Sequence, residues 1–197
     1  MTEQRTQRRH YWQRITTDGG GWAAGVTGPP GAELAALRSG INREAGDAPR
    51  MWPFYTTLTV DGRRSIALQA EHVALTLFAL HQQSRPLPMH KPKTGVGTAI
   101  RALRDRGTFS PDAVDRRFAA AANATTLGEL RMHLRGLITQ LRGIGQPLDY
   151  NRLYQDLCDW QWPERRPTVR RRWGAQYFAH DSSDDTKPAT STTTTSS

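Results

Sequence analysis

The chain has 197 residues, with 27 Lys or Arg against 18 Asp or Glu and a net charge of +9. That length allows one ordinary domain or two small ones with a real core, and the charge favours a polyanionic partner. A lone cysteine, Cys158, excludes an internal disulfide, and the longest apolar stretch, Val73 to Leu80, is far too short to span a membrane.

In chain order, the pattern predicts a short basic helix over Arg5 to Ile15, with Tyr11, Trp12 and Ile15 as its apolar contacts. The N-terminus lacks the apolar region of a signal peptide, so a cytoplasmic protein is expected. Asp18 to Gly31 is rich in glycine and reads as a loop. A second helix starts at Ala32 and is closed by Gly40. Asp47 caps a third through Trp52, Phe54, Tyr55 and Leu58, which Pro53 kinks or delays. Ser65 to Gln83 is the most apolar helix and the expected centre of the first half. Ser84 to Thr94 holds three prolines and is a loop.

The second half continues in helices. Gly95 to Arg106 is helical until Gly107 breaks it, and Ser110-Pro111-Asp112 starts a helix running to Ala122. Thr126-Leu-Gly-Glu129 is a capping box for an amphipathic helix that Gly143 and Gly145 end. Asp149 to Trp160 and Pro167 to Phe178 complete the set, with Trp160 and Trp162 expected to staple the last two helices together. The fold expected is all-α, two small helical bundles side by side with about eight to nine helices. The bundles span 1–108 and 109–180, and a disordered Thr/Ser-rich tail covers 181–197.

Catalytic patterns are missing. Gly95-Val-Gly97 lacks the preceding strand and third glycine of a dinucleotide fingerprint, and no Walker-type loop exists. Glu71-His72 lacks the second histidine of a metalloprotease helix, and the six histidines are scattered. Asp156 and Asp159 read as surface residues, and Cys158 as a small core residue rather than a nucleophile. No enzyme, cofactor or metal is expected.

The basic residues carry the signal. Only three are lysine, Lys91, Lys93 and Lys187. The rest are arginine, whose planar fork matches phosphate oxygens. Arg131, Arg135 and Arg142 project within roughly 40° of one another on one helix, beside a leucine stripe centred about 100° away. Of the three, Arg142 is the weaker candidate, being at the helix end. Arg101 and Arg104 share a helix face, Arg116 and Arg117 sit beside Phe118, and Arg170, Arg171 and Arg172 precede Trp173. Lys91 and Lys93 precede a helix whose free N–H groups at Gly95 to Gly97 suit a phosphate. No recognition-helix pattern or aromatic stacking sheet accompanies them, so backbone contact without sequence specificity is expected. These residues by themselves leave open a stand-alone, non-specific DNA-binding protein or a structural clamp.

Several segments together resemble the CasB family, the small subunit of type I-E CRISPR surveillance complexes (Cascade). They are Leu37-Arg38 with Pro53-Phe54-Tyr55, Ala74 to Leu80, Thr94 to Leu103, Arg116-Arg-Phe118, Leu130 to Leu141, Pro147 to Tyr150, and Leu157 to Trp160 with the basic last helix. The resemblance implies two helical bundles and a non-catalytic subunit that dimerises within a ribonucleoprotein beside crRNA-bound subunits. It further implies a basic groove that holds an R-loop open through target and displaced DNA strands. By position it carries over Arg38, Arg101, Arg116, Arg117, Arg131, Arg135 and Arg170 to Arg172, and less securely Lys91 and Lys93.

Overall fold

The computed structural model describes residues 9–179. Among these the protein is helical, with only two isolated β-bridges, Thr16 with Trp22 and His90 with Leu148. The elements are α1 (Tyr11–Ile15), α2 (Gly31–Arg38), a 3₁₀ helix (Pro49–Phe54), α3 (Ile66–Gln82), α4 (Val96–Asp105), α5 (Pro111–Asn123), α6 (Leu127–Ile144), α7 (Tyr150–Trp160) and α8 (Arg166–Tyr177). The all-α expectation holds. Arg5 to Arg8 of the first expected helix and the 181–197 tail lie outside the described residues. Within them, α1 starts only at Tyr11.

Local chemistry sets most helix ends. Ser65 caps α3 by accepting from the Leu68 N–H at 3.0 Å. Asp149 caps α7, accepting from Asn151 and Arg152 at 2.9 and 3.0 Å. The capping box of α6 is shifted by one residue: Thr126 Oγ1 accepts from Glu129 N–H at 3.1 Å, but the Glu129 carboxylate reaches the Thr125 N–H at 2.7 Å. Gly145, at φ 68°, ends α6 in the left-handed region that glycine tolerates best. The expected helix through Leu58 is instead the short 3₁₀ element, because Pro53 denies it an N–H and Thr56 and Thr57 are held elsewhere.

What holds them is Glu71 on α3. Its carboxylate is fully buried and accepts from the backbone N–H and hydroxyl of both Thr56 and Thr57, with His10 Nδ1 at 2.8 Å. Burial alone would raise the Glu71 pKa, but the hydrogen bonds from His10, Thr56 and Thr57 outweigh it and hold the carboxyl below its ordinary range. Helix α3 is buried almost all round, packing on α2, α6 and α7, while α4 packs on α5, α6 and α8. The buried apolar side chains of both halves form one continuous cluster.

The α4–α8 contact explains two glycines. A Cβ on Gly97 would lie 2.1 Å from the Trp173 carbonyl oxygen, and one on Gly95 would lie 2.4 Å from the Gln176 side chain. The Gln176 Oε1 also accepts from the Gly97 N–H at 3.2 Å. The N-terminus of α4 is therefore covered by α8, and the expectation that Gly95 to Gly97 offer free N–H groups to a phosphate is corrected. Trp160 staples α7 to α8 by stacking on Trp173 at 5.3 Å, whereas Trp162 stays 42% exposed and takes no part.

Three histidines are buried as neutral rings. His72 Nε2 donates to the Gly40 carbonyl at 3.0 Å, which leaves Nδ1 to accept from the Tyr55 hydroxyl at 2.7 Å. His81 pairs with the buried Tyr150 hydroxyl at 3.0 Å, and His90 Nδ1 accepts from the Tyr150 N–H at 3.1 Å. Burial pushes all three pKa values down, that of His81 from 6.5 to about 3. Between those values the unfolded chain binds the proton and the folded chain does not. The stability is full above about pH 6.5 and drains as pH falls towards 3. His81 alone is expected to remove on the order of 3 kcal/mol between pH 7 and pH 4. Urea denaturation at the two pH values measures this, and an unchanged or higher midpoint in acid contradicts it.

Candidate nucleic-acid interface

Helix α6 buries Leu130, Leu134, Leu137, Ile138 and Leu141 and turns its other side outward. Arg131 and Arg135 lie at the edge of that outer side, against the segment that follows α2. Arg131 Nη1 donates to the Arg43 carbonyl at 3.3 Å, and Arg135 Nη1 donates to Asn42 Oδ1 at 3.4 Å. Both acceptors are neutral and both bonds are long, so the guanidiniums are oriented without being neutralised. Arg131 also acts through space: after burial itself, its charge helps keep His72 unprotonated. Arg38, at the end of α2, forms no ion pair among the described residues and leads into the same segment.

The opposite edge of α6 meets α5. There Arg116 and Arg117 line a shallow open groove with Ala113, Met132, His133 and Gly136. Both arginines are exposed and form no ion pair among the described residues. Met132 and Gly136 of that groove, with Thr139, are exposed on the solvent side of α6. The solvent side of α6 thus carries arginines along both edges: Arg131 and Arg135 on one, with the Arg43 backbone against them, and Arg116 and Arg117 on the other. Sequence pattern does not single out Arg43, because nothing local ties a loop residue to a helix 88 positions away.

Other candidates are committed to partners within the fold. Arg142 Nη1 donates to Gln83 Oε1 at 3.1 Å and to the Leu80 carbonyl at 3.4 Å, tying α6 to the end of α3. Arg104 Nε donates to Asp115 Oδ1 at 3.0 Å, and Arg101 pairs with Asp105 at 3.5 Å and donates to the Ala179 carbonyl. The consecutive run on α8 points three ways at about 100° per residue. Arg170 lies over the Trp160 ring at 5.5 Å and donates to the Ala124 carbonyl at 3.3 Å. Arg172 pairs with Asp156, and only Arg171 is exposed. Asp156 is correspondingly no surface residue: it is 1% exposed and accepts from Trp173 Nε1 at 2.6 Å, from Arg152 at 3.0 Å and from Arg172.

Lys91 and Lys93 are exposed, and the backbone holds them in place. The Lys93 N–H donates to Asp149 Oδ2 at 2.8 Å, and the Lys91 stem packs where a Cβ on Gly20 would sit. Cys158 is half-buried, and burial raises its thiol pKa to about 11, which leaves it unreactive at neutral pH. Among the described residues no group of three His, Cys, Asp or Glu side chains is placed to hold a metal ion. No helix among them is long and apolar enough to cross a membrane.

Fold and surface together define a class: a small all-helical protein built around a buried central helix, with arginines bordering one exposed helix face. Comparison with known proteins narrows that class. The chain belongs to the CRISPR-associated protein Cse2 family, whose match spans residues 33–178. Its fold is similar to that of CasB from Thermobifida fusca, at 30% identity and a TM-score of 0.62 over 76% of this chain and 85% of that one. It is also similar to a Cse2-family CRISPR-associated protein from Thermus thermophilus, at 24% identity and a TM-score of 0.60 over 76% and 86% of the two chains. A chain of a CRISPR RNA-guided surveillance complex matches at 23% identity and a TM-score of 0.55, over 76% of this chain and 82% of that one. Comparison with curated proteins finds no match.

Proposed function

We propose that this protein is a non-catalytic small subunit of a Cascade-type surveillance complex that binds nucleic acid backbone through the α6 face and stabilises the R-loop. The observation that carries this reading is that, among the described residues, Arg131 and Arg135 are held in place by the neutral acceptors Arg43 O and Asn42 Oδ1 and form no ion pair. A charged pair oriented in advance and left uncompensated attracts phosphates at little cost in ordering. Membership of the Cse2 family and the likeness to a chain of an RNA-guided surveillance complex support the setting.

The energetic logic is modest and sufficient. R-loop formation exchanges one duplex for another of similar stability, so protein contacts to the displaced or target strand tip the balance. Arg38, Arg116, Arg117, Arg131 and Arg135 are the first choices for those contacts, with exposed Lys91, Lys93 and Arg171 contributing around them. Arg101, Arg104, Arg142, Arg170 and Arg172 enter the proposal in a lesser role, because each already has a partner within the fold. Crosslinking and co-purification test the proposal. The protein is expected to co-purify with crRNA-bearing subunits, to occur there in two copies, and to crosslink to an opened DNA strand in the cytoplasm of its host. Tight duplex binding by the isolated protein with no effect on complex assembly would instead mark a stand-alone DNA-binding protein. Assembly without any strand crosslink would mark a purely structural clamp.

A further inference from the structure

We infer that Trp52 is a stacking platform for an unpaired base of the strand held on the arginine face. The inference rests on the single-strand reading above and extends it from phosphates to bases. Trp52 is 51% exposed, a large apolar surface to leave in water. Its ring is nevertheless fixed, because Nε1 donates to the Gly46 carbonyl at 2.7 Å and the residue sits in the Pro49–Phe54 3₁₀ helix just before Pro53. No aromatic ring or guanidinium covers either face of the indole among the described residues. The other exposed aromatics differ: Trp162 has the Arg165 guanidinium 5.6 Å from its ring centre, and Phe178 meets Tyr177 edge-on at 4.9 Å.

Basic residues lie nearby, alongside the acidic Glu44 and Asp47, of which Asp47 is paired with Arg64 at 2.6 Å. Gly46, which anchors the indole, is three residues from Arg43, a span of at most about 11 Å along the chain. Arg43 Nη1 donates to the Asp47 carbonyl at 3.4 Å, and the Arg43 carbonyl is the one that orients Arg131. Arg50 is exposed two residues before Trp52. One short segment therefore carries a fixed, open indole at one end and, at the other, Asn42 and Arg43, the acceptors for the α6 residues Arg135 and Arg131. Phosphate contacts alone act on paired and unpaired strands alike. A stacked base must be unpaired, so Trp52 gives the face a preference for an opened strand that its charges do not supply.

The test compares two labelled single strands of equal length, one carrying adenine bases and one wholly abasic, binding to the full-length protein. Stacking of one base predicts that wild type binds the base-bearing strand about tenfold more tightly. Trp52→Ala is expected to lose that ratio while keeping its affinity for the abasic strand. Trp52→Phe, which keeps a ring but no Nε1 donor, is expected to retain most of it. Quenching of 2-aminopurine placed in the strand should follow the same order. An unchanged ratio in Trp52→Ala overturns the inference. If the ratio is absent in wild type but Arg131→Glu with Arg135→Glu weakens both strands, the arginine reading stands and the stacking site fails alone. If wild type binds neither strand, the stacking inference fails, and the arginine reading is decided by strand crosslinking in the assembled complex.

Discussion

Reversing Arg131 and Arg135 together to glutamate is expected to weaken binding of target DNA by the assembled complex by about a hundredfold at physiological salt. The double change removes two positive charges and places two negative ones beside phosphates. Each lost phosphate contact also removes a released counterion, so the slope of log affinity against log salt should fall by about 2. The fold should tolerate the change, because the two bonds it sacrifices are long ones to neutral acceptors, 3.3 Å to Arg43 O and 3.4 Å to Asn42 Oδ1. Arg135 is exposed and Arg131 partly so, which keeps the cost in stability small. Reversal of Arg172 is the contrasting case. It would strip Asp156 of a charged partner inside the protein and place a second carboxylate beside it, so its primary effect should be on stability. Unchanged affinity and an unchanged salt slope in the Arg131/Arg135 double variant, with complex assembly intact, would remove the α6 face from the mechanism.

Gly97→Ala is expected to cost about 3 kcal/mol of stability, although alanine is the better helix former by roughly 1 kcal/mol. The new methyl would lie 2.1 Å from the Trp173 carbonyl oxygen and 2.9 Å from the Tyr177 nitrogen. These are backbone atoms of α8 and cannot rotate away, so the two helices must separate. Separation loosens Trp173 from Trp160 and withdraws the Gln176 acceptor from the Gly97 N–H. Gly136→Ala provides the control. It lies inside α6, and a methyl added there would meet nothing within 4 Å, so the same substitution should stabilise by about 0.5–1 kcal/mol. Urea denaturation of the two variants should therefore move the midpoint in opposite directions. Equal shifts of the same sign would mean that α4 and α8 do not meet as closely as described.

Much of the fold is legible in the sequence because helix periodicity and capping are local. Ser65, Thr126 and Asp149 mark the starts of α3, α6 and α7, and Gly145 marks an end, each through bonds to residues two to four positions away. The all-round apolar pattern of Ile66–Gln82 likewise foretells a buried helix. Glu71, His72 and His81 within it are another matter. Their burial requires partners at Thr56, Gly40 and Tyr150, and no local pattern announces those pairings.

The sequence by itself determines the helical class, an arginine-rich surface chemistry and the α6 stripe, since composition and a 3.6-residue period are properties of neighbouring residues. Only the tertiary structure decides which arginines keep their charge uncompensated. Arg101, Arg104, Arg142, Arg170 and Arg172 look the same as Arg131 and Arg135 along the chain. Arg101, Arg104 and Arg172 differ because Asp105, Asp115 or Asp156 lies beside them, and Arg142 and Arg170 because Gln83 and Trp160 tie them into the fold, while among the described residues Arg131 and Arg135 meet a backbone carbonyl and an amide at the protein's edge. Compensation falls off steeply with distance between charged groups, and apart from the Arg101–Asp105 pair within α4 these contacts join different elements, so the tertiary structure sets them.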